Sequence, residues 1–152
     1  MKQNNERRVL IIEDHDVLRV MLFTLLRHQP LAVDTAASAS EALLKVASCD
    51  YALIVIDMDL ANHEAEHFLK TFREQRPEAT TFVLAVRDPN SDAVIDPSIV
   101  SAVLNKPIEL DTLSDVVRET AAVVPPPEDP LQCPPAESDV RSRLDRDAGL
   151  TN

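Results

Sequence analysis

The stretch YALIVIDMDLANHEAEHFLK, residues 51–70, offers two places for the chemistry of this chain. A short apolar run, YALIVI, stops abruptly at Asp57, and a second acid, Asp59, follows two residues later. Next comes His63-Glu64-Ala65-Glu66-His67, which matches the H-E-x-x-H spacing of zinc hydrolases. On a helix the two histidines, at i and i+4, share one face and can hold zinc, with Glu64 as the base. Three features weigh against zinc. The pair falls in the first turns of its helix. No histidine follows His67, so the third ligand would be a carboxylate such as Glu74 or Glu78 without recognisable spacing. The flanking residues also have another explanation, developed below.

Outward from this stretch, the chain alternates between two periodicities. RVLII (8–12) and YALIVI (51–56) are short, apolar and rich in β-branched residues, as buried strands are. AVDTA (32–36), TTFVLAV (80–86) and VSAVL (100–104) are further strands. Between them, Asp16 is positioned to cap a helix to about His28, with Val17, Met21, Leu22, Leu25 and Leu26 as its apolar stripe. Ser38 and Glu41 have capping-box spacing for a helix to about Ser48. Asn62 is placed to cap a helix ending near Gln75, and Asp111 one reaching about Val124. Pro89 and Pro97 limit residues 87–99 to a short or irregular fourth helix. Five apolar strands with helical crossovers imply an α/β fold with a parallel sheet covered on both faces.

The 152 residues suggest one domain, 1–124, which needs neither disulfide nor metal to build a core. Residues 125–135 (PPPEDPLQCPP) hold six of the eleven prolines and read as an extended linker. With the linker, the acidic tail completes a second segment, 125–152, either disordered or forming a short helix at 138–148 on Val140 and Leu144. Cys49 and Cys133 are far apart and show no zinc or disulfide pattern, which predicts reduced thiols in a cytoplasm. The apolar run near the start is too short for a signal core or a membrane span. A net charge of −11 argues against direct nucleic-acid binding.

Ligands of open parallel sheets bind at the carboxyl ends of strands. Here the first strand ends in Glu13-Asp14, the third in Asp57, and the fifth in Asn105-Lys106-Pro107. Clustered carboxylates repel one another, and a hard dication relieves that repulsion through oxygen ligands. A metal so held can orient a phosphoryl group against a carboxylate nucleophile while a lysine neutralises the remaining oxygens.

VLIIEDHDVLRVML, SASEALLKVASCDYALIVIDMDLA and VLNKPIELDTL together resemble, in order and spacing, the receiver domain of two-component response regulators over about residues 8–123. The resemblance implies a flavodoxin-like, doubly wound sheet, and Mg2+ on Glu13, Asp14, Asp57 and the backbone carbonyl of Asp59. It further implies phosphorylation of Asp57 and contact of Lys106 with the phosphoryl group. A histidine kinase or histidine phosphotransfer protein would be the donor. Output would run by protein contact through residues 87–124, without turnover of an external substrate. His15, beside the acid pair, stands near an incoming donor. Two switch positions depart from the family pattern: alignment puts Ala85 where a Ser or Thr is usual, and Val103 where an aromatic is usual, three residues before the lysine. Ala61 and Asn62 replace the usual Pro-Gly turn. These departures leave open a pseudo-receiver, an interaction module independent of phosphorylation.

Overall fold

The computed structural model describes residues 7–140. In chain order the elements are β1 (Arg7–Ile12), α1 (Asp16–Leu26), β2 (Leu31–Ala36), α2 (Ala39–Ser48) and β3 (Leu53–Asp57). A 3-10 turn (Ala61–His63), α3 (Glu64–Gln75), β4 (Phe82–Arg87), β5 (Ala102–Asn105) and α4 (Leu110–Val123) follow. All strands are parallel, in the order β2-β1-β3-β4-β5. The alternation of strands and helices implies the parallel sheet, and the family resemblance implies this flavodoxin-like order. Residues 88–101 form turns and extended chain without a helix, as Pro89 and Pro97 require.

The continuous apolar strands follow from burial on both faces, because successive side chains alternate across the sheet. Val9, Ile11, Leu53, Val55, Leu84 and Val86 pack under α1 (Leu22, Phe23, Leu26) and α4 (Leu113, Val117, Ala121). Leu10, Ile12, Ile54, Ile56, Val83 and Ala85 pack under α2 (Ala42, Val46) and α3 (Ala65, Phe68, Leu69, Phe72). Phe68 is fully buried, and its ring stacks on Phe72 at 5.8 Å between centroids. These phenylalanines supply volume that a tryptophan-free core otherwise lacks.

Four local expectations need correction, the first being that Asp111 does not cap α4 but lies in its first turn, after the N-cap Glu109. The α1 stripe is rotated: Leu22, Phe23 and Leu26 are buried, whereas Val17 (61% exposed) and Met21 (45%) face outward beside the rim of the sheet. The cap of α1 is His15, whose Nδ1 accepts the Leu18 N–H at 3.3 Å; Asp16 instead pairs with Arg19. Asn62 does not cap α3, which starts only at Glu64. Asn62 and His63 both have positive φ, 59° and 56°, and carry the chain through a left-handed turn. Asn tolerates that conformation, and His63 adopts it at a steric cost of about 1 kcal/mol or more. The cap at α2 is present: Ser38 Oγ accepts the Glu41 N–H, and Glu41 Oε2 reaches back to the Ala37 N–H, one residue before the N-cap.

The Pro-rich segment folds back along the edge strand β2. Val33 N–H donates to Ser138 Oγ at 2.9 Å and Thr35 N–H to Glu137 Oε1 at 3.0 Å, so outward-facing edge donors are capped. Asp34, buried in the middle of β2, organises the contact. It pairs with Arg8 at 2.6 Å, accepts the Tyr51 hydroxyl at 2.6 Å and accepts the Glu137 N–H at 2.9 Å. Lys45 also pairs with Glu137, and the Leu131 N–H donates to Asp50. A helical turn opens at Glu137; the remainder of the 138–148 segment lies outside the described residues.

Cys49 and Cys133 form a disulfide across a sequence separation of 84 residues, which overturns the reading of two reduced thiols. Their proximity comes from the tertiary return of the segment after α4, which no spacing rule encodes. Closure of a loop of this length is worth about 4–5 kcal/mol on a chain-entropy account. Cys133→Ser should therefore lower the thermal midpoint by several degrees and open residues 125–136 to proteolysis. An unchanged midpoint and cleavage pattern would show that the bridge does not hold the strap.

Candidate functional site

The sheet order brings the acids together. β1 and β3 are neighbours, with Ile12 opposite Ile56, so Glu13 and Asp14 leave β1 beside Asp57 at the end of β3. Glu13, Asp14 and Asp57 offer ligand oxygens that all lie within 4.8 Å of one another. This is the one such metal-competent group among the described residues. Its chemistry fits a hard dication: oxygen donors only, crowded like charges, and partial exposure at Asp14. Glu13 and Asp57 are buried and Asp14 is exposed.

Lys106 arrives from β5, two strands away. Its N–H donates to the Arg87 carbonyl at 2.8 Å, which ties its backbone to β4. Its Nζ lies 2.9 Å from Asp57 Oδ1 and 3.0 Å from Asp59 Oδ2. The Lys106–Pro107 peptide is cis. Asp57 Oδ1 also accepts the Asp59 N–H at 2.8 Å. The family resemblance implies a place for the Asp59 carbonyl here. Its side chain takes part as well, accepting the Asp88 N–H at 2.8 Å beside Lys106.

The crowding has electrostatic consequences. Burial, then the hydrogen bond and negative charge of Asp57, push the Glu13 carboxyl up to about 8, against the opposing pull of Lys106. Burial alone would lower the Lys106 pKa, but its bonds to Asp57 and Asp59 outweigh that and raise it. Burial would raise Asp59, and the Asp88 N–H, the Ser91 hydroxyl and Lys106 together hold it below its usual value.

Ala85 and Val103, where the sequence alignment put the altered switch positions, lie opposite each other on β4 and β5. Ala85 pairs with Ile56 and is fully buried, below the rim. β4 runs two residues further than the alignment assumed, because the Val86 carbonyl accepts the Met58 N–H and the Arg87 carbonyl accepts the Lys106 N–H. The residue at the strand end is thus Arg87, whose Nε is buried without a hydrogen-bond partner among the described residues. Val103 is 38% exposed.

The rival zinc pair is not assembled. His63 is outside α3, in the left-handed turn, exposed, with Nδ1 3.2 Å from Glu66. His67 is exposed one turn into the helix, and neither histidine belongs to a metal-competent group among the described residues. The i,i+4 geometry needs both residues on one helix, and the positive φ at His63 removes it.

An apolar cleft of about 300 Å³ adjoins the acids, lined by Leu18, Leu22, Val55, Val86, Pro107 and Ile108. With exposed Val17, Val20 and Met21 it forms an apolar shoulder on α1. The sequence reading missed this shoulder by assigning Val17 and Met21 to the core; five apolar residues in six (17–22), wider than one stripe, were the available signal. A larger cleft, about 890 Å³, lies beneath the Pro-rich strap among Arg7, Tyr51, Pro127 and Leu131, away from these acids.

A family model described as the response regulator receiver domain matches residues 9–118. The chain is 26% identical over 112 residues to the transcriptional regulatory protein BasR of Escherichia coli, covering 73% of this chain and 50% of that protein. It thus spans about half the length of that relative. Among solved structures, a CheY-like receiver domain protein from Methanospirillum hungatei superposes with TM-score 0.65 at 22% identity, covering 78% of this chain and 95% of the other. The response regulator TrrA from Thermotoga maritima, in complex with Mg2+-BeF, superposes with TM-score 0.63 at 19% identity, covering 75% and 98%. With its parallel sheet, its acid group at the ends of β1 and β3 and a family match over most of its length, the chain belongs to the response regulator receiver domain family.

Proposed function

We propose that this chain is a phosphorylatable receiver that accepts a phosphoryl group on Asp57 and signals by protein contact. The observation that carries the reading is the placement of Lys106 Nζ 2.9 Å from Asp57 at the edge of a three-acid group. Residues 1–124 act as the receiver unit, and 125–152 as an appended segment. A histidine kinase or histidine phosphotransfer protein is the donor, and the apolar shoulder of α1 beside the acids is the surface it meets. Residues 87–124 are the face offered to a downstream protein.

In the transfer, a carboxylate oxygen of Asp57 attacks phosphorus. The new O–P bond forms as the P–N bond of a phosphohistidine breaks, and the imidazole keeps the electron pair and takes up a proton. Mg2+, when bound, would neutralise charge on the transferring group. Glu13, Asp14, Asp57 and the Asp59 carbonyl are the residues that would hold it. Lys106 pairs with the phosphoryl oxygens and stabilises charge that the carboxylates would otherwise repel. TrrA, whose structure contains Mg2+-BeF, supports this assignment by likeness of fold.

A second reading, a pseudo-receiver that binds its partner regardless of phosphorylation, is favoured by Arg87 at the end of β4 and by Val103, which carry neither hydroxyl nor aromatic ring. The two readings part on one experiment. Incubation with acetyl phosphate and Mg2+ should add the mass of one phosphoryl group to wild type and none to Asp57→Ala, and should change partner affinity. An equal gain in both proteins refutes phosphorylation at Asp57, and an affinity indifferent to phosphorylation selects the pseudo-receiver.

Glu13 supplies a pH test. Its carboxyl titrates near 8 when folded, above its ordinary 4.5, so the folded state binds the proton more tightly than the unfolded chain. Metal-free stability should then fall as pH rises through that window, the penalty being complete above about 8 and absent below 4.5. Glu13→Gln should melt several degrees above wild type at alkaline pH without Mg2+, and the gap should close in acid. A gap independent of pH would contradict the buried, proton-sharing Glu13.

A further inference from the structure

Asp59 is joined to more of the structure than a loop acid requires. One oxygen, Oδ2, accepts from Lys106 Nζ at 3.0 Å and from the Asp88 N–H at 2.8 Å, and the carboxylate also takes the Ser91 hydroxyl. Asp88 and Ser91 begin the helix-free segment 88–101. That segment is stitched mainly by short turns: Asn90 N–H to Asp88, Ala93 N–H to Ser91 Oγ, and Ser98 N–H to Asp96. Its far end is fastened to β4, where Ser101 N–H donates to the Val83 carbonyl and Ser101 Oγ accepts the Val83 N–H. Its apolar anchors are few: Ala93 and Val100 are buried, and Ile95 and Ile99 partly so. A segment so held shifts under a small change in free energy.

We propose that the Asp59 side chain is the positioning group that couples the occupancy of Asp57 to the 88–101 segment, by sharing Lys106 with Asp57. This rests on the receiver function proposed above. In the unmodified protein Lys106 Nζ bridges Asp57 and Asp59. Its backbone is fixed to β4 through the Arg87 carbonyl, so only the side chain is free to redistribute. An aspartyl phosphate carries more negative charge than the carboxylate it replaces. Lys106 moves onto the phosphoryl oxygens, and Asp59 loses its cation while facing a larger like charge. The carboxylate then turns away, and its bonds to Asp88 and Ser91 go with it. Coupling by this route needs neither a hydroxyl at the end of β4 nor an aromatic ring at position 103. Both are absent here, where the strand end is Arg87 and position 103 is Val.

Backbone amide hydrogen exchange over residues 86–101 reads the latch. In the unmodified protein, Asp59→Ala and Lys106→Met should each speed exchange at the Asp88 amide by about tenfold, the effect of losing a hydrogen bond to a charged partner. The double variant should add little to either. Acetyl phosphate with Mg2+ should speed the same amides in wild type, whereas the phosphorylated fraction of Asp59→Ala, identified by its mass, should exchange as its unmodified fraction does. If Lys106→Met leaves the Asp88 amide as in wild type, or if phosphorylated Asp59→Ala responds as wild type does, Asp59 is not the coupling group. A wild type that gains no mass overturns the receiver function instead, and the comparison in the unmodified protein still decides whether Lys106 and Asp59 act together on the segment.

Discussion

Glu13, Asp14 and Asp57 crowd one rim of the sheet, and their mutual repulsion is the constraint around which the rest is arranged. Charges a few ångströms apart at a partly buried site repel by several kcal/mol if left alone. Two responses are visible. Glu13 keeps its proton to about pH 8, and Lys106 reaches in from β5 to pair with Asp57 and Asp59. The topology supplies both. Adjacent β1 and β3 create the crowding, and β4 and β5, next in the sheet, deliver the compensating cation.

Charge on the rim also explains what surrounds it. His15 caps α1 and Arg19 donates to the Glu13 carbonyl at 2.9 Å, so the first helix is pinned to the acids by its opening turn. Asp59 is tied in turn to Lys106 and to the chain after β4. At β2, Asp34 forms a separate polar centre, satisfied by Arg8, Tyr51 and the strap. Burial, followed by the charge and hydrogen bond of Asp34, raises the Tyr51 phenol far above its usual range, so it stays a neutral donor. The strap residues lie beyond the 9–118 match.

The parts of this architecture legible in the sequence are those written by local periodicity. Continuous apolar strands, interrupted by acids at their carboxyl ends, gave the parallel sheet and the Glu13, Asp14, Asp57 and Lys106 group. Pro89 and Pro97 pointed to a short or irregular helix, and the structure has none over residues 88–101. What was not legible depends on chain geometry or on distant partners. The left-handed turn at Asn62 and His63 displaced both the helix start and the histidine pair. Val17 and Met21 are apolar yet outward, because α1 borders an open cleft rather than a covering layer. The strand-end position that the alignment put at Ala85 falls at Arg87, where hydrogen bonds from Met58 and Lys106 carry the ladder. Cys133 meets Cys49 only because the proline-rich chain turns back along β2.

The most direct measurement of the shared pocket is a calorimetric titration of the purified protein with Mg2+ at neutral pH, in buffers of differing ionisation heat. The expected result is saturable binding of one ion with release of about one proton, since Glu13 titrates near 8 and must lose its proton to ligate. The release should vanish in Glu13→Gln, and binding should weaken strongly in Asp57→Asn. No saturable binding, or the same heats and proton count in the variants lacking these acids, would mean that the carboxylates do not form one cation site.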